Sequence, residues 1–127
     1  MYTDSQQWEG LQEEVFADEA DLDMTSLNGP KERFASTAIC DMWKEGFADL
    51  DAVNHLSGNY IIDVRDDNSA HVHAYATATH YKQSAKNGTT REFVGTYDLE
   101  LTKSESGWRI HSFMYQLKYM QGNLGLD

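Results

Sequence analysis

The sequence predicts an α+β fold in which N-terminal helices pack on the concave face of a curved antiparallel sheet. Helical spacing of apolar residues is confined to the first part of the chain, whereas strand-like alternation dominates from residue 52 onward. Two of the predicted strands, 69–82 and 91–103, are long for a small domain, and strands of that length bend. A chain of 127 residues suits one hydrophobic core, so we expect a single domain over residues 1–127.

Two helices are predicted ahead of the sheet, over residues 4–16 and 30–48. In the first helix, apolar side chains lie at helical spacing and Asp4 is a candidate N-cap. The second helix follows a turn at 28–30, whose proline suits a helix start. A short strand is predicted between the two helices, over residues 19–27.

Five antiparallel strands are predicted after the second helix, separated by segments rich in turn-forming residues. They cover residues 52–57, 59–66, 69–82, 91–103 and 107–119. Helices on one face of such a bent sheet form a cone with an open mouth, and openings of this kind commonly hold small molecules.

The strand from Ala70 to Lys82 is the most informative segment, because side chains alternate between the two faces of a strand. The first face carries Ala70, Val72, Ala74, Ala76, Ala78 and His80. The second face carries His71, His73, Tyr75, Thr77, Thr79 and Tyr81. Alanines fill little volume, so either closely packed groups or a cavity must lie over the first face. The imidazole at its end predicts a pocket that contains an acid/base group.

Charge and composition exclude several classes of partner. The net charge of −11 repels phosphate backbones and anionic lipid, so we expect neither nucleic acid nor a membrane surface as a partner. No apolar run approaches the length of a membrane-spanning helix. The single cysteine, Cys40, is expected to be a small buried residue, and its isolation fits a cytoplasmic protein.

Three segments of the chain resemble the SnoaL-like group of the NTF2-like, or cystatin-like, superfamily, which includes polyketide cyclases and scytalone dehydratase. They are DAVNHLSGNYIIDV at 51–64, AHVHAYATATHY at 70–81, and GTYDLELTKSESGWRI at 95–110 with GN at 122–123. The resemblance implies the NTF2-like cone. This fold hosts dehydratases, isomerases, cyclases, hydrolases and association domains, so the resemblance alone does not select a reaction.

The resemblance also implies a catalytic set. In scytalone dehydratase-like enzymes two strand histidines face the pocket, and a carboxylate from the first helix orients the catalytic imidazole. His55 and His80 match the histidines here, and Asp4 matches the carboxylate. His80 would then be the acid/base group, oriented by Asp4, with His55 and Tyr97 as electrophilic or binding groups. Two tyrosines of such dehydratases are replaced, at positions that correspond to Thr3 and Met24.

Side chains that line the cone are expected to bind the substrate, a small hydrophobic molecule; of these, only Tyr97 is also a candidate for the chemistry. The expected substrate-binding residues are Tyr97, Trp43, Met24 and Met114. No metal site is expected, because the pair His71 and His73 lacks a third ligand at recognisable spacing. No organic cofactor is expected either, because acid/base chemistry does not need one. The second face of the strand, with Tyr75 and Tyr81 beside these histidines, suits the interface of a homodimer instead.

Two classes of function remain open from the sequence. The first is a cofactor-free lyase or isomerase that dehydrates, isomerises or cyclises a small carbonyl compound by general acid/base catalysis. The second is a non-catalytic domain that binds an apolar ligand or another copy of itself through the same cone or the outer sheet face. A filled cone would favour the second class, and a cavity that contains His55 and His80 would favour the first.

Overall fold

The computed structural model describes all 127 residues and confirms the predicted α+β fold. One curved sheet has six strands in the spatial order β2-β1-β6-β5-β4-β3. The strands are β1 (Phe16–Asp23), β2 (Lys31–Ala35), β3 (Ala52–Asp66), β4 (Ser69–Tyr81), β5 (Thr90–Ser104) and β6 (Gly107–Gly122). The helices are α1 (Trp8–Gly10), which continues as a π-helical turn over Leu11–Val15, and α2 (Ser36–Phe47); a short 3-10 turn covers Thr25–Leu27.

The first helix is shorter than predicted. It begins at Trp8, and Asp4 lies in the turn before it rather than at the N-cap, a position that Gln7 occupies without a side-chain hydrogen bond. The prediction that Asp4 caps this helix is therefore wrong, because its carboxylate contacts β3 instead. The strand that follows begins at Phe16 and ends at Asp23, earlier than the predicted 19–27.

The second predicted helix divides into a strand and a helix. Residues Lys31–Ala35 pair with β1 in antiparallel register, and α2 begins only at Ser36. Arg33 lies opposite Asp21, and its guanidinium Nε is 3.0 Å from that carboxylate. Pairing with a strand distant in sequence overrides the local preference for helix in this segment.

The sheet differs from the prediction in two respects. The predicted strands 52–57 and 59–66 form one strand, β3, whose register shifts between Gly58 and Ile61, where Asn59 has a φ of 55°. A bulge at this point bends the strand without ending it. In addition, β1 runs parallel to β6, so the sheet is mixed, whereas every other neighbouring pair is antiparallel.

The helical segments pack on the β1–β6 side of the inner sheet face. Six buried residues form the core there: Leu11, Phe16, Ala20, Leu22, Ile39 and Cys40. The buried position of Cys40 agrees with the prediction. Trp43 of α2 lies 5.7 Å from Phe16 and 5.5 Å from Phe113, measured between ring centroids, so aromatic packing fixes α2 to the sheet. Neither helix has the length and apolar character needed to cross a bilayer.

Both closely packed groups and a cavity lie over the alanines on the inner face of β4. The ring of Tyr115 packs over the middle of the face, and its hydroxyl is 3.4 Å from the Ala76 carbonyl oxygen. A Cβ at Gly95, opposite Ala76, would lie 2.9 Å from this ring and 2.2 Å from the Gln116 carbonyl oxygen, so only glycine fits there. On either side of this close packing, Ala74 and Ala78 line a pocket.

Candidate active site

A pocket of about 410 Å³ lies between the inner sheet face and the helical segments. Its lining is mostly apolar, 17 of 21 residues, and includes no Lys, Arg, Asp or Glu side chain. Five residues predicted for the site line it: Met24, Trp43, His55, His80 and Tyr97. The pocket thus offers an apolar volume with few polar groups, which is typical of small-molecule sites.

Met114 does not line this pocket, so its prediction as a substrate-binding residue of the cone is wrong. The register between β5 and β6 shifts between Glu100 and Leu101, which face Ser112 and Ile110 respectively. Beyond this bulge Phe113 faces the pocket, and Met114 points to the opposite sheet face. There it borders a second, outer groove of about 510 Å³.

Asp4 and His55 form a carboxylate–imidazole pair at the edge of the sheet. Because β3 is an edge strand, the backbone N–H of His55 is free to bond outward, and it donates to Asp4 Oδ2 at 2.9 Å. The other carboxylate oxygen, Oδ1, lies 2.5 Å from His55 Nδ1. The backbone contact fixes the carboxylate, and the contact of its Oδ1 with the ring places the imidazole proton on Nδ1.

The second nitrogen of this imidazole opens into the pocket. His55 Nε2 has no protein partner, and no buried side-chain nitrogen or oxygen in the structure lacks a hydrogen bond. The atom is therefore reached by solvent, and His55 is a lining residue of the pocket. With the proton on Nδ1, Nε2 carries a lone pair that can accept a proton from a bound molecule.

His80 occupies a different electrostatic environment. Its Nδ1 accepts a hydrogen bond from the Nε–H of Arg91, the residue directly opposite on β5, at 3.0 Å. Burial first, and then the positive charge of Arg91, lowers the pKa of His80 from 6.5 to about 4. At neutral pH this imidazole is uncharged, with its proton on Nε2, where it is a hydrogen-bond donor.

The arrangement corrects the expected pairing of the carboxylate. Asp4 contacts His55 and not His80, whose ring partner is Arg91. The two histidines still share one face, because His55 pairs with Ala78 and lies diagonally from His80 on the neighbouring strand. Both rings pack against Phe47 of α2, at centroid distances of 6.2 Å for His55 and 5.3 Å for His80.

Tyr97 supplies a further polar atom to the pocket. Its hydroxyl has no protein partner, and its ring packs between Phe113 and Tyr115 at centroid distances of 5.1 and 5.4 Å. Burial raises the pKa of this phenol well above its ordinary value of 10. The hydroxyl therefore remains protonated and can donate a hydrogen bond to a ligand.

The outer sheet face holds a separate polar cluster. His71 Nε2 and His73 Nδ1 both contact Asp98 Oδ1, at 3.1 and 3.0 Å. No group of three or more His, Cys, Asp or Glu side chains has the arrangement of a metal site. These histidines are satisfied by a shared carboxylate on β5, away from the inner pocket.

Sequence reasoning missed Arg91 and the two phenylalanines that enclose His80. The His80 ring lies 5.3 Å from Phe47 and 5.2 Å from Phe93, measured between centroids. The sequence predicted the hairpin that contains Arg91 but not its register, which places residue 91 opposite residue 80. The positions of the phenylalanines depend on how α2 docks, which local sequence does not define.

The chain matches one family model and several solved structures. The family model of the SnoaL-like domain matches residues 1–114. The Kfla4162 protein from Kribbella flavida is 23% identical, with a TM-score of 0.91 over 98% of this chain and 86% of that one. No curated protein sequence gave a match.

Two further solved structures are similar in fold at lower identity. A provisionally assigned scytalone dehydratase from Novosphingobium aromaticivorans DSM 12444 is 15% identical, with a TM-score of 0.80 over 96% of this chain and 78% of that one. The hexachlorocyclohexane dehydrochlorinase LinA-type3 from Novosphingobium barchaimii LL02 is 10% identical, with a TM-score of 0.77 over 98% of this chain and 82% of that one. At these identities the similarity shows a common fold.

Proposed function

The chain belongs to the SnoaL-like domain family, and we propose that it is a cofactor-free enzyme that removes the proton next to the carbonyl group of a small apolar compound. The observation that supports this most is the Asp4–His55 pair, whose free ring nitrogen opens into an apolar pocket. Dehydration, isomerisation and aldol cyclisation of carbonyl compounds share this first step. The proposal therefore covers a dehydratase, an isomerase or a cyclase.

In the proposed first step, His55 is the general base. Its Nε2 lone pair accepts the α-proton of the substrate, and the electrons of the broken C–H bond form an enolate. Asp4 stabilises the imidazolium that results, because its carboxylate is negatively charged and accepts a hydrogen bond from Nδ1–H. A general base of this kind contributes about 10²- to 10⁴-fold to the rate.

His80 and Tyr97 are the proposed donors to the enolate oxygen. Each has a polar atom without a protein partner in the pocket, and each is uncharged and protonated at that atom at neutral pH. Hydrogen bonds fixed in an apolar pocket stabilise developing negative charge strongly, because they need no reorganisation during the reaction. Trp43 and Met24 provide apolar contacts for the rest of the substrate.

The proton on His55 then completes one of three reactions. In a dehydration it passes to a β-hydroxyl, which leaves as water while the carbon–carbon double bond forms. In an isomerisation it returns to another carbon of the conjugated system, and in an aldol closure it neutralises the alkoxide. Each of these three reactions conserves protons and electrons, so none requires an oxidant or a reductant. The names dehydratase and dehydrochlorinase of two structural neighbours support an elimination.

Hydrogen–deuterium exchange of 2-tetralone tests the shared first step without the natural substrate. This uncharged aromatic ketone is incubated with the protein in D₂O, and deuterium next to the carbonyl is followed by NMR. We expect saturable exchange that falls about 10²- to 10⁴-fold in His55→Gln and is unchanged in His111→Gln. Exchange no faster than in buffer, or an unaffected rate in His55→Gln, would contradict the proposal.

A ligand carrier is the second candidate, and the uncharged apolar lining of the pocket supports it. Such a protein would bind 2-tetralone without exchanging its α-protons. Trp43 lines the pocket, so its fluorescence reports binding in the same samples. Binding without exchange selects the carrier, and binding with His55-dependent exchange selects the enzyme.

We also propose that the outer sheet face forms a homodimer. Large apolar side chains are exposed there on neighbouring strands, with 70% of Leu56, 66% of Ile61 and 50% of Tyr75 accessible. Sedimentation velocity of the protein and of Ile61→Lys tests this interface. We expect a dimer that becomes a monomer in the variant, whereas a monomeric wild type would contradict the proposal.

A further inference from the structure

Arg91 connects His80 to the C-terminal segment of the chain. Its Nε–H donates to His80 Nδ1 at 3.0 Å, and its Nη1 donates to the Leu124 carbonyl oxygen at 2.8 Å. The guanidinium carbon also lies 5.5 Å from the centroid of the Phe93 ring. Three contacts in different directions leave this long side chain little rotational freedom.

The C-terminal segment, Asn123–Asp127, is itself fixed to the hairpin between β4 and β5. The backbone N–H of Asn123 donates to the Thr90 carbonyl at 2.9 Å, and its side-chain amide donates to the Gly88 carbonyl, also at 2.9 Å. Leu126 is buried, and the Asp127 carbonyl accepts the backbone N–H groups of Lys86 and Asn87. The segment thus holds the Leu124 carbonyl at a defined place beside Arg91.

We propose that Arg91 is a positioning residue that fixes His80 as an Nε2–H donor toward the pocket, and that the Asn123–Asp127 segment holds Arg91 in place for this purpose. The inference rests on the proposed function, in which His80 donates a hydrogen bond to the substrate oxygen. It adds to that function a residue and a C-terminal segment that do not line the pocket.

The chemistry of the guanidinium determines the tautomer. All nitrogens of an arginine side chain are donors and the group stays charged, so the His80 Nδ1 that faces it must be the unprotonated nitrogen. The opposite tautomer would place two N–H groups against each other, and the imidazolium would place two positive charges together. The only proton of the ring is therefore on Nε2, which has no protein partner.

Other ionisable groups near His80 do not reverse this preference. His55 on β3 opposes protonation of His80, and Asp4 in the N-terminal turn favours it more weakly than burial and Arg91 oppose it. A lysine at position 91 would not reproduce the arrangement. Its single ammonium group cannot occupy the two donor positions that reach His80 and the Leu124 carbonyl together.

Histidine ring NMR on ¹⁵N-labelled protein tests the inference without any substrate. Long-range ¹H–¹⁵N spectra report the tautomer of His80, and a titration reports its pKa. The variants are Arg91→Met and Arg91→Lys, with Arg65→Met as the matched control, because Arg65 is exposed and pairs with half-buried Glu100 outside the pocket lining. The second Arg91 variant keeps a positive charge and so provides a reading if the first does not fold.

We expect the wild type to show only the Nε2–H tautomer of His80. In Arg91→Met both tautomers should be populated and the pKa of His80 should rise by about one unit or more. Arg91→Lys keeps a charged group with donors only, so it should retain the Nε2–H tautomer. Arg65→Met should match the wild type. An Nδ1–H tautomer in the wild type or in Arg91→Lys, or an unchanged tautomer in folded Arg91→Met, would overturn the inference.

The 2-tetralone exchange rate separates this inference from the proposed function. We expect Arg91→Met to lower the rate about 10-fold, close to the effect of losing one directed hydrogen bond. A purely structural role of Arg91 in holding the C-terminus would lower the melting temperature and leave the tautomer unchanged. If the wild type exchanges no deuterium while the tautomer shift occurs, the proposed function fails and the positioning of His80 by Arg91 stands.

Discussion

His55 and His80 face the same pocket from neighbouring strands, but their ring partners carry opposite charges. The Nδ1 of His55 lies against the Asp4 carboxylate, and the Nδ1 of His80 lies against the Arg91 guanidinium. The carboxylate leaves a lone pair on the pocket side of one ring, whereas the guanidinium leaves a proton on the pocket side of the other. In the proposed mechanism, the partner on the far nitrogen therefore decides whether a pocket histidine is a base or a donor.

The largest effect is expected from Asp4→Asn, which removes the charge on the partner of His55. An amide can present its N–H₂ group to Nδ1 and so favour the wrong tautomer, and it does not stabilise the imidazolium. We expect the 2-tetralone exchange rate to fall about 10²- to 10⁴-fold. Asp18→Asn, at an exposed position, is the matched control and should keep the wild-type rate. A wild-type exchange rate in Asp4→Asn would contradict the proposal that the Asp4 carboxylate makes His55 the base.

The second effect concerns the pH dependence of stability. The pKa of folded His80 is about 4, below the ordinary value of 6.5. At pH values between these two, the imidazole is protonated in the unfolded chain and neutral in the folded chain. The contribution of His80 to the free energy of unfolding is therefore complete above pH 6.5 and is lost as the pH falls toward 4. Between pH 7 and pH 5 the wild type should lose about 2 kcal/mol more unfolding free energy than His80→Gln.

Urea unfolding at the two pH values measures this difference. Because both proteins contain the other histidines and carboxylates, their shared pH dependence cancels in the comparison. Equal losses in the wild type and in His80→Gln would show that His80 titrates normally, and the pairing with Arg91 would then not keep it neutral.

A smaller effect is expected for His80→Gln in the exchange assay. The substitution removes the fixed Nε2–H donor but leaves the proposed base, the Asp4–His55 pair, intact. We expect the rate to fall about 10-fold, which corresponds to the loss of one hydrogen bond to the enolate oxygen. His111→Gln, outside the pocket lining, should keep the wild-type rate. A loss as large as that in His55→Gln would indicate that His80 itself transfers the proton.

The smallest effect is expected for Tyr97→Phe. In the proposed mechanism its hydroxyl shares the donor role with His80, so we expect the exchange rate to fall only about 3-fold. Because this hydroxyl has no protein partner, the melting temperature should not decrease. Tyr119→Phe, at a half-exposed position on β6, serves as the control. A destabilised Tyr97→Phe would mean that the hydroxyl has a structural partner rather than a ligand.

The sheet was predictable from the sequence where its pattern is local. Alternation along residues 70–82 identified the inner face of β4, and turn residues identified the hairpins that follow it. The segment Lys31–Ala35 was predicted as helix, because only its pairing with β1 makes it a strand. The parallel contact of β1 with β6 joins segments distant in sequence, and no local pattern encodes it.

The candidate site was predictable in its residues but not in its contacts. Strand alternation placed His80 on the alanine-rich face of its strand, and resemblance to the family added His55 and Asp4. Which imidazole receives the carboxylate depends on the path of the N-terminal turn along the edge of β3. The role of Arg91 depends on the register of the β4–β5 hairpin, and the outward position of Met114 depends on a bulge.

The most direct test of the division between a base and a donor is the ratio of the 2-tetralone exchange rates of His55→Gln and His80→Gln. Both variants replace an imidazole by the same amide in the same pocket, so the ratio cancels general effects of the substitution. We predict that His55→Gln is slower than His80→Gln by about 10-fold or more. Equal rates, or a slower His80→Gln, would contradict the assignment of His55 as the base.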